Sequence, residues 1–313
     1  MPGLPLALSS LVLAAAVVVT APVQVFGAAA RSTYPAATSA APTAAPTAAT
    51  AVTPTKVLLI VEENETDVAA RKGMPVLARL GKRYGHTTHY RAVAHPSLPN
   101  YLALAGGSTF GVRDDLGPSA HHIRGRSVFD QAIAVHRSAT AYVESMPSRC
   151  DPASGGRYVA RHNPWTYFHD ATSQANCRRH DVPAGTVTTG ALHDDVVNGR
   201  LPTIGMLTPN LCHDAHNCSL ATANHWLETW LQVIRSGPDW TSGNLAVVVT
   251  FDENDGAHPN TVLTTVLSPS ISRVASAAHL THYSWTRYAD ELIGASPLRK
   301  ARHAGSLRSA FRL

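Results

Sequence analysis

His95-Pro96-Ser97-Leu98-Pro99-Asn100-Tyr101 gathers an imidazole, a hydroxyl and an amide around one loop that turns into a helix. Pro96 holds the chain extended before Ser97, so Ser97 is read as the N-cap of a helix that Gly106-Gly107 stops. Pro99 is tolerated in the first turn, where its missing N–H has no intrahelical partner. A helix start offers free N–H groups and the positive end of a dipole, and both favour an anion such as phosphate. The Ser97 hydroxyl would sit beside that anion, and Asn100, one turn on, would donate to one of its oxygens. Taken alone, the motif reads more readily as a capped, buried helix with Leu98, Leu102 and Ala105 facing the core.

Three other stretches run from apolar residues into oxygen or imidazole donors. Lys56–Val61 leads into Glu62-Glu63-Asn64-Glu65, and Thr203–Leu207 leads through Thr208-Pro209-Asn210 to His213-Asp214-Ala215-His216. Asn244–Phe251 leads into Asp252-Glu253-Asn254-Asp255, and His282 opens a late helix. An apolar run without alternation is the mark of a central parallel strand covered on both faces. Open α/β sheets bind ligands at the carboxyl edge of such strands. Each cluster by itself is no more than an acidic strand end, but all of them on one edge, with a hydroxyl at a helix start, would make a site.

Further elements must carry these groups. Residues 68–84 read as a helix, 86–91 as a strand, 127–135 as a helix and 139–143 as a strand. Residues 150–181 read as a polar insertion, 192–198 as a short helix, and 219–234 as a long helix whose Ala223, Trp226, Leu227, Trp230 and Ile234 form a core stripe. A strand is expected over 261–267 and a helix from His282 to Ile293. Strands alternating with helices predict an α/β fold with a mostly parallel sheet.

The 313 residues suffice for one sizeable core, or at most two. A net charge of +5 without a dense Lys/Arg run suits anionic substrates or surfaces and disfavours nucleic acid. Residues 1–30 hold an apolar run, Leu6 to Val19, ending in small residues; they read as a signal peptide, or as an uncleaved anchor because no Lys or Arg precedes the run. Residues 31–55, mostly Ala, Thr and Pro, read as a disordered linker, and the folded unit as 56–313. Four cysteines in an exported chain point to disulfides, and spacing favours Cys150–Cys177 and Cys212–Cys218.

In order and spacing, Val61-Glu62-Glu63-Asn64, His95 to Tyr101, Thr208-Pro209-Asn210 with Asp214-x-His216, Thr250-Phe251-Asp252-Glu253 with Asp255-Gly256, and His282-Tyr283-Ser284 resemble the blocks of the phosphoesterase family that joins bacterial phospholipases C and acid phosphatases. That family lies within the alkaline-phosphatase-like superfamily. The likeness is nearest to small secreted bacterial acid phosphatases, a branch that Arg161-His162-Asn163-Pro164-Trp165 supports. The resemblance implies an alkaline-phosphatase-like three-layer α/β sandwich. It implies Ser97 as nucleophile through a phosphoseryl intermediate, with Asn100 steadying the transferring group. Glu63, Asn64, Asp252 and Glu253 would hold a divalent metal. Asp214, His216 and His282 would form the second side of the site, as ligands or as the acid for the leaving oxygen, while His213 is a neighbour and His95 supports the loop. The chain departs from the two-zinc alkaline phosphatases: Glu253 follows Asp252 in place of His, and Glu63-Asn64 stands where those enzymes place Asp. Oxygen-rich ligation leans toward calcium or magnesium over zinc, and a metal-independent mechanism stays open. The expectation is a secreted or envelope-anchored monomeric phosphomonoesterase acting on small phosphate esters or phosphoinositide head groups, with no membrane span after processing. A phospholipase C or other phosphodiesterase, and a non-enzymatic phosphate-binding surface protein, are the alternatives.

Overall fold

A computed structural model describes residues 21–22 and 52–313. The expected signal peptide or anchor and most of the expected linker lie outside the described residues. Among the described residues there are ten strands: β1 (Lys56–Glu62), β2 (Gly85–Thr87), β3 (Tyr90–Arg91), β4 (Ala139–Val143), β5 (Asp181–Pro183), β6 (Ile204–Thr208), β7 (Leu245–Phe251), β8 (Thr264–Leu267), β9 (Val274–Ser276) and β10 (Leu280–Thr281). Eight of them form one sheet in the order β5-β4-β6-β1-β7-β8-β2-β9, and β3 pairs with β10 apart from it. All neighbours in the large sheet are parallel except β7–β8 and β8–β2, so β8 alone runs against the rest.

The apolar runs explain the middle of this order. Val57 to Val61 of β1 and all of β7 are buried, as strands covered on both faces require. One cover is the helices Pro75–Arg83, Ala191–Val197 and Leu220–Ser236; the other is Ser97–Gly106, Val128–Ala134 and His282–Leu292. Helices on both faces of the sheet give three layers. The core stripe on Leu220–Ser236 is buried as expected, and Ser219 caps that helix by accepting from Thr222 N–H.

Several elements differ from expectation. The helix over 68–84 is two, Asp67–Gly73 and Pro75–Arg83, because Pro75 forces Met74 out of helical geometry and then starts the second helix itself. The strand over 86–91 splits at the exposed pair Thr88-His89, and its halves join different sheets. The polar insertion carries structure of its own, two short 3₁₀ turns, Ala160–His162 and Pro164–Tyr167, and the helix Ala171–His180, with Trp165 fully buried against Phe129. Both expected disulfides, Cys150–Cys177 and Cys212–Cys218, are formed. No described helix is long and apolar enough to cross a membrane.

Candidate active site

β6, β1 and β7 lie side by side and run parallel, so the residues that follow them emerge at one edge. Two backbone bonds extend the ladder past the strand ends: Glu63 N–H donates to the Asp214 carbonyl at 2.8 Å, and Asp252 N–H to the Glu62 carbonyl at 2.9 Å. Glu63, Asp214 and Asp252 are thereby held together, and all three are buried.

The helix carrying Ser97 comes to this edge. Ser97 is its first helical residue, and Pro96 takes the cap position, so Ser97 is not the N-cap expected from sequence. The reason lies in competing partners. Leu98 N–H donates to Asp115 Oδ1 at 2.9 Å, which supplies the cap from outside. The Ser97 hydroxyl is left to donate to Glu63 Oε2 at 3.2 Å or Glu253 Oε1 at 3.4 Å. The helix mouth therefore already carries one carboxylate, and the serine oxygen faces two more. Gly107, with φ 67°, closes the helix as expected, a conformation that suits glycine.

Asn100 serves the loop. Its Oδ1 accepts from Val93 N–H and Ala94 N–H, both at 3.0 Å, and its Nδ2 donates to the Ala94 and Pro96 carbonyls and, at 3.4 Å, to Glu253 Oε2. Its amide is committed to holding residues 93–97 in shape. His95 reaches the same carboxylate, with Nδ1 at 2.7 Å from Glu253 Oε2. Asn64 sits in the left-handed region at φ 57°; its N–H donates to Asp252 Oδ1 at 3.2 Å and its Nδ2 to Glu63 Oε2 at 3.2 Å. The cluster thus brings Ser97, Asn100, Glu63, Asn64, Asp252 and Glu253 together.

The second side is differently built. His282 is fully buried; Nε2–H donates to the Asp252 carbonyl at 2.5 Å, and Nδ1 lies 3.3 Å from the Tyr90 hydroxyl. Burial lowers it to about 4, so the ring is neutral and both nitrogens are engaged. It braces the end of β7 and has no hydrogen left for a leaving oxygen. Asp214 Oδ1 accepts from His216 N–H at 2.8 Å. The His216 ring is exposed, with Nδ1–H donating to Asn217 Oδ1 and Nε2 accepting from Arg161 Nη2 at 3.1 Å. His213 turns away to Glu144, 2.9 Å from both carboxylate oxygens.

Two side chains without an assigned role complete the cluster. His162 is buried between acids, Nε2 3.2 Å from Glu63 Oε1 and Nδ1 3.4 Å from Asp214 Oδ2, and its ring stacks on Tyr101 at 4.9 Å. The Tyr101 hydroxyl donates to Glu63 Oε1 at 2.6 Å. Arg161 is the cation of the cluster: besides His216 it approaches Asp115 at 3.8 Å, and its buried Nε has no hydrogen-bond partner. The Arg161–Trp165 motif contained both residues, yet nothing local ties position 162 to position 63. A histidine before Asn-Pro-Trp in an otherwise buried turn was the available signal.

Charge in this cluster is unbalanced. Burial, then the neighbouring Asp252 and Asp214, push Glu63 well above the usual carboxylate range. Burial likewise raises Asp252 and Asp214 to about 7 each, and burial together with Asp252 and Asp115 raises Glu253 to about 8. Buried Asp252 Oδ2, Asp214 Oδ2 and both nitrogens of His162 lack hydrogen-bond partners. Donor atoms of Glu63, His162 and Asp214 lie within 4.8 Å of one another. Unpartnered hard oxygens, an imidazole and excess negative charge fit a divalent cation. Glu63 belongs to the metal set expected from sequence; Asp214, expected as a ligand or as the acid, joins it, and His162 is an imidazole donor that the expectation did not include.

A model described as the Phosphoesterase family matches residues 62–273. The chain is 32% identical over 220 residues to a phosphate-repressible acid phosphatase of Penicillium chrysogenum, covering 66% of this chain and 52% of that protein. It is 25% identical over 245 residues to a phosphatidylinositol-3-phosphatase of Mycobacterium tuberculosis, covering 76% of each. The chain spans about half the length of the fungal relative. Among solved structures, a protein in the alkaline phosphatase superfamily from Vibrio parahaemolyticus superposes with a TM-score of 0.51 at 9% identity, over 79% of this chain and 68% of that one. At that identity the likeness is one of fold.

Proposed function

The chain belongs to the Phosphoesterase family, and from that premise we propose that it is an exported phosphomonoesterase of the acid-phosphatase type with Ser97 as its nucleophile. The observation that carries this reading is the Ser97 hydroxyl, first in its helix and within 3.2 and 3.4 Å of the Glu63 and Glu253 carboxylates. The names of the two relatives support the monoester class, and the two disulfides fit an oxidising compartment.

Ser97 Oγ attacks phosphorus, and its proton passes to Glu63 or Glu253 as the new O–P bond forms. The bond to the leaving oxygen breaks, and that oxygen takes a proton from solvent at the exposed His216 side of the site. Water then cleaves the phosphoserine and returns Ser97. The Arg161 guanidinium, beside His216 at the rim, would bring positive charge to the phosphoryl oxygens. His95 and Asn100 hold Glu253 against Ser97, and His282 fixes the backbone of Asp252. Glu63, His162 and Asp214, with Asp252 Oδ2 adjoining, would hold a divalent ion, which when bound supplies positive charge that lowers the hydroxyl pKa and offsets phosphoryl charge.

The test is release of inorganic phosphate from 4-nitrophenyl phosphate. Ser97→Ala is expected to lose roughly 10³-fold or more in kcat. Equal rates in the two proteins would end the proposal for Ser97. Turnover of bis(4-nitrophenyl) phosphate but not of the monoester would make the chain a phosphodiesterase.

A further inference from the structure

The geometry points to a second anion subsite in the cavity that His95 shares with the catalytic loop, one that takes a phosphate borne by the leaving group of the substrate. This rests on the phosphomonoesterase reading and narrows its substrate to esters with two phosphates.

A cavity of about 540 Å³ opens beside the catalytic loop. Its walls include His95, Ser108, Thr109, Arg113, Tyr283 and Lys300. His95 links it to the reacting centre. The ring lines the cavity, while its Nδ1 bonds Glu253, which in turn lies 3.4 Å from Ser97 Oγ. A hollow of about 430 Å³ shares Tyr283 and Lys300 and adds His279 and His303. No carboxylate lines either one.

That absence sets this surface apart from the site next to it, where Glu63, Asp115, Asp214, Asp252 and Glu253 crowd together. Arg113 and Lys300 form no ion pair among the described residues; the arginine and lysine pairs found are made elsewhere. The Lys300 ammonium lies 5.6 Å over the Tyr283 ring. Its backbone is anchored, because Lys300 N–H donates to the Gly107 carbonyl at 3.0 Å and Arg299 Nη1 to the Gly106 carbonyl at 2.7 Å. The cation is therefore carried on a fixed segment at the far end of the Ser97 helix. Where a Cβ on Gly111 would stand, no atom lies within 4 Å, so the cavity is open there.

A cavity of this size takes a phosphorylated ring as well as a phosphate. Two cations and three hydroxyls without competing acids suit a phosphate, with Arg113 able to grip it bidentately and Lys300 as a point charge. Binding energy from such a remote group would help hold an anionic ester over a carboxylate-rich centre. A polyol bisphosphate and the head group of a phosphoinositide monophosphate share this chemistry.

The experiment uses the full chain and the double variant Arg113→Ala/Lys300→Ala, both checked for the same melting temperature. Phosphate release is measured from 4-nitrophenyl phosphate, from inositol 1,4-bisphosphate, and from phosphatidylcholine vesicles containing phosphatidylinositol 3-phosphate. The ratio of kcat/KM for a two-phosphate substrate to that for the aryl phosphate is expected to fall about tenfold in the variant, through KM. A fall with the soluble compound only assigns the subsite to free polyol phosphates, and a fall with vesicles only assigns it to lipid. An unchanged ratio for both overturns the subsite while leaving the monoesterase reading intact. If no compound is hydrolysed, the monoesterase reading fails, and calorimetry with inositol 1,4-bisphosphate decides the subsite. Tenfold weaker binding by the variant upholds it; equal or no binding overturns it.

Discussion

Ser97 Oγ has one hydrogen to give and two buried carboxylates to receive it, neither of which burial lets ionise readily. Its reactivity is therefore set by whatever keeps Glu63 or Glu253 ionised. His162 touches that balance directly, between Glu63 and Asp214 and with no other partner. His162→Gln is expected to weaken divalent-ion binding about 10- to 100-fold, the range found when groups that fix metal sites are altered. Calorimetry reads the affinity, and an unchanged value would remove the imidazole from the donor set. Arg161 stands apart as the forked cation of the cluster, bonded to His216 and 3.8 Å from Asp115. Arg161→Lys keeps the charge and loses the fork, so KM for 4-nitrophenyl phosphate is expected to rise about tenfold with a smaller change in kcat. A fall in kcat alone would mean that Arg161 acts only in the transition state.

The elements explain why such groups stay in place. The Ser97–Gly106 helix is buried on every side, and its loop is pinned by Asn100. Asn100→Ala leaves the Val93 and Ala94 N–H groups without their acceptor, at roughly 1–3 kcal/mol for each group fully desolvated. Denaturant unfolding should show a loss in that range, with the 4-nitrophenyl phosphate rate reduced because Glu253 loses a contact as well. Cys212–Cys218 encloses Asp214 and His216 in a short loop where Ala215 holds φ 76°. A loop that small adds only about 2 kcal/mol by chain entropy. Cys212→Ser/Cys218→Ser should therefore lose more in kcat than in stability, which parallel rate and unfolding measurements would separate.

Over the whole molecule the buried acids make stability depend on pH. Asp214 and Asp252 at about 7 and Glu253 at about 8 all exceed their ordinary values near 4. The folded state then binds more protons than the unfolded one. The resulting stabilisation is complete below about pH 4 and is lost as pH rises through 7 to 8. For Asp252 alone the difference corresponds to roughly 4 kcal/mol. In chelator the melting temperature is expected to fall between pH 5 and 8, and a divalent ion at pH 8 should restore it; a flat profile would show that these acids are ionised in the fold. Much of this architecture was legible along the chain. Apolar runs mark β1, β6 and β7 because burial on both faces is a local demand, and acids directly after a strand must leave at its carboxyl edge. The cysteine pairing followed from separation alone. Pairing across the sheet obeys no local demand, so the reversal of β8 and the split of residues 86–91 between two sheets emerged only in three dimensions. The same holds for Ser97, whose hydroxyl was free to cap its helix until Asp115 took that N–H. Chain order thus determined which groups reach the edge. Tertiary contact alone decided that His162 and Arg161, about a hundred residues from Glu63, stand among them, because a buried acid selects its partner by proximity in space.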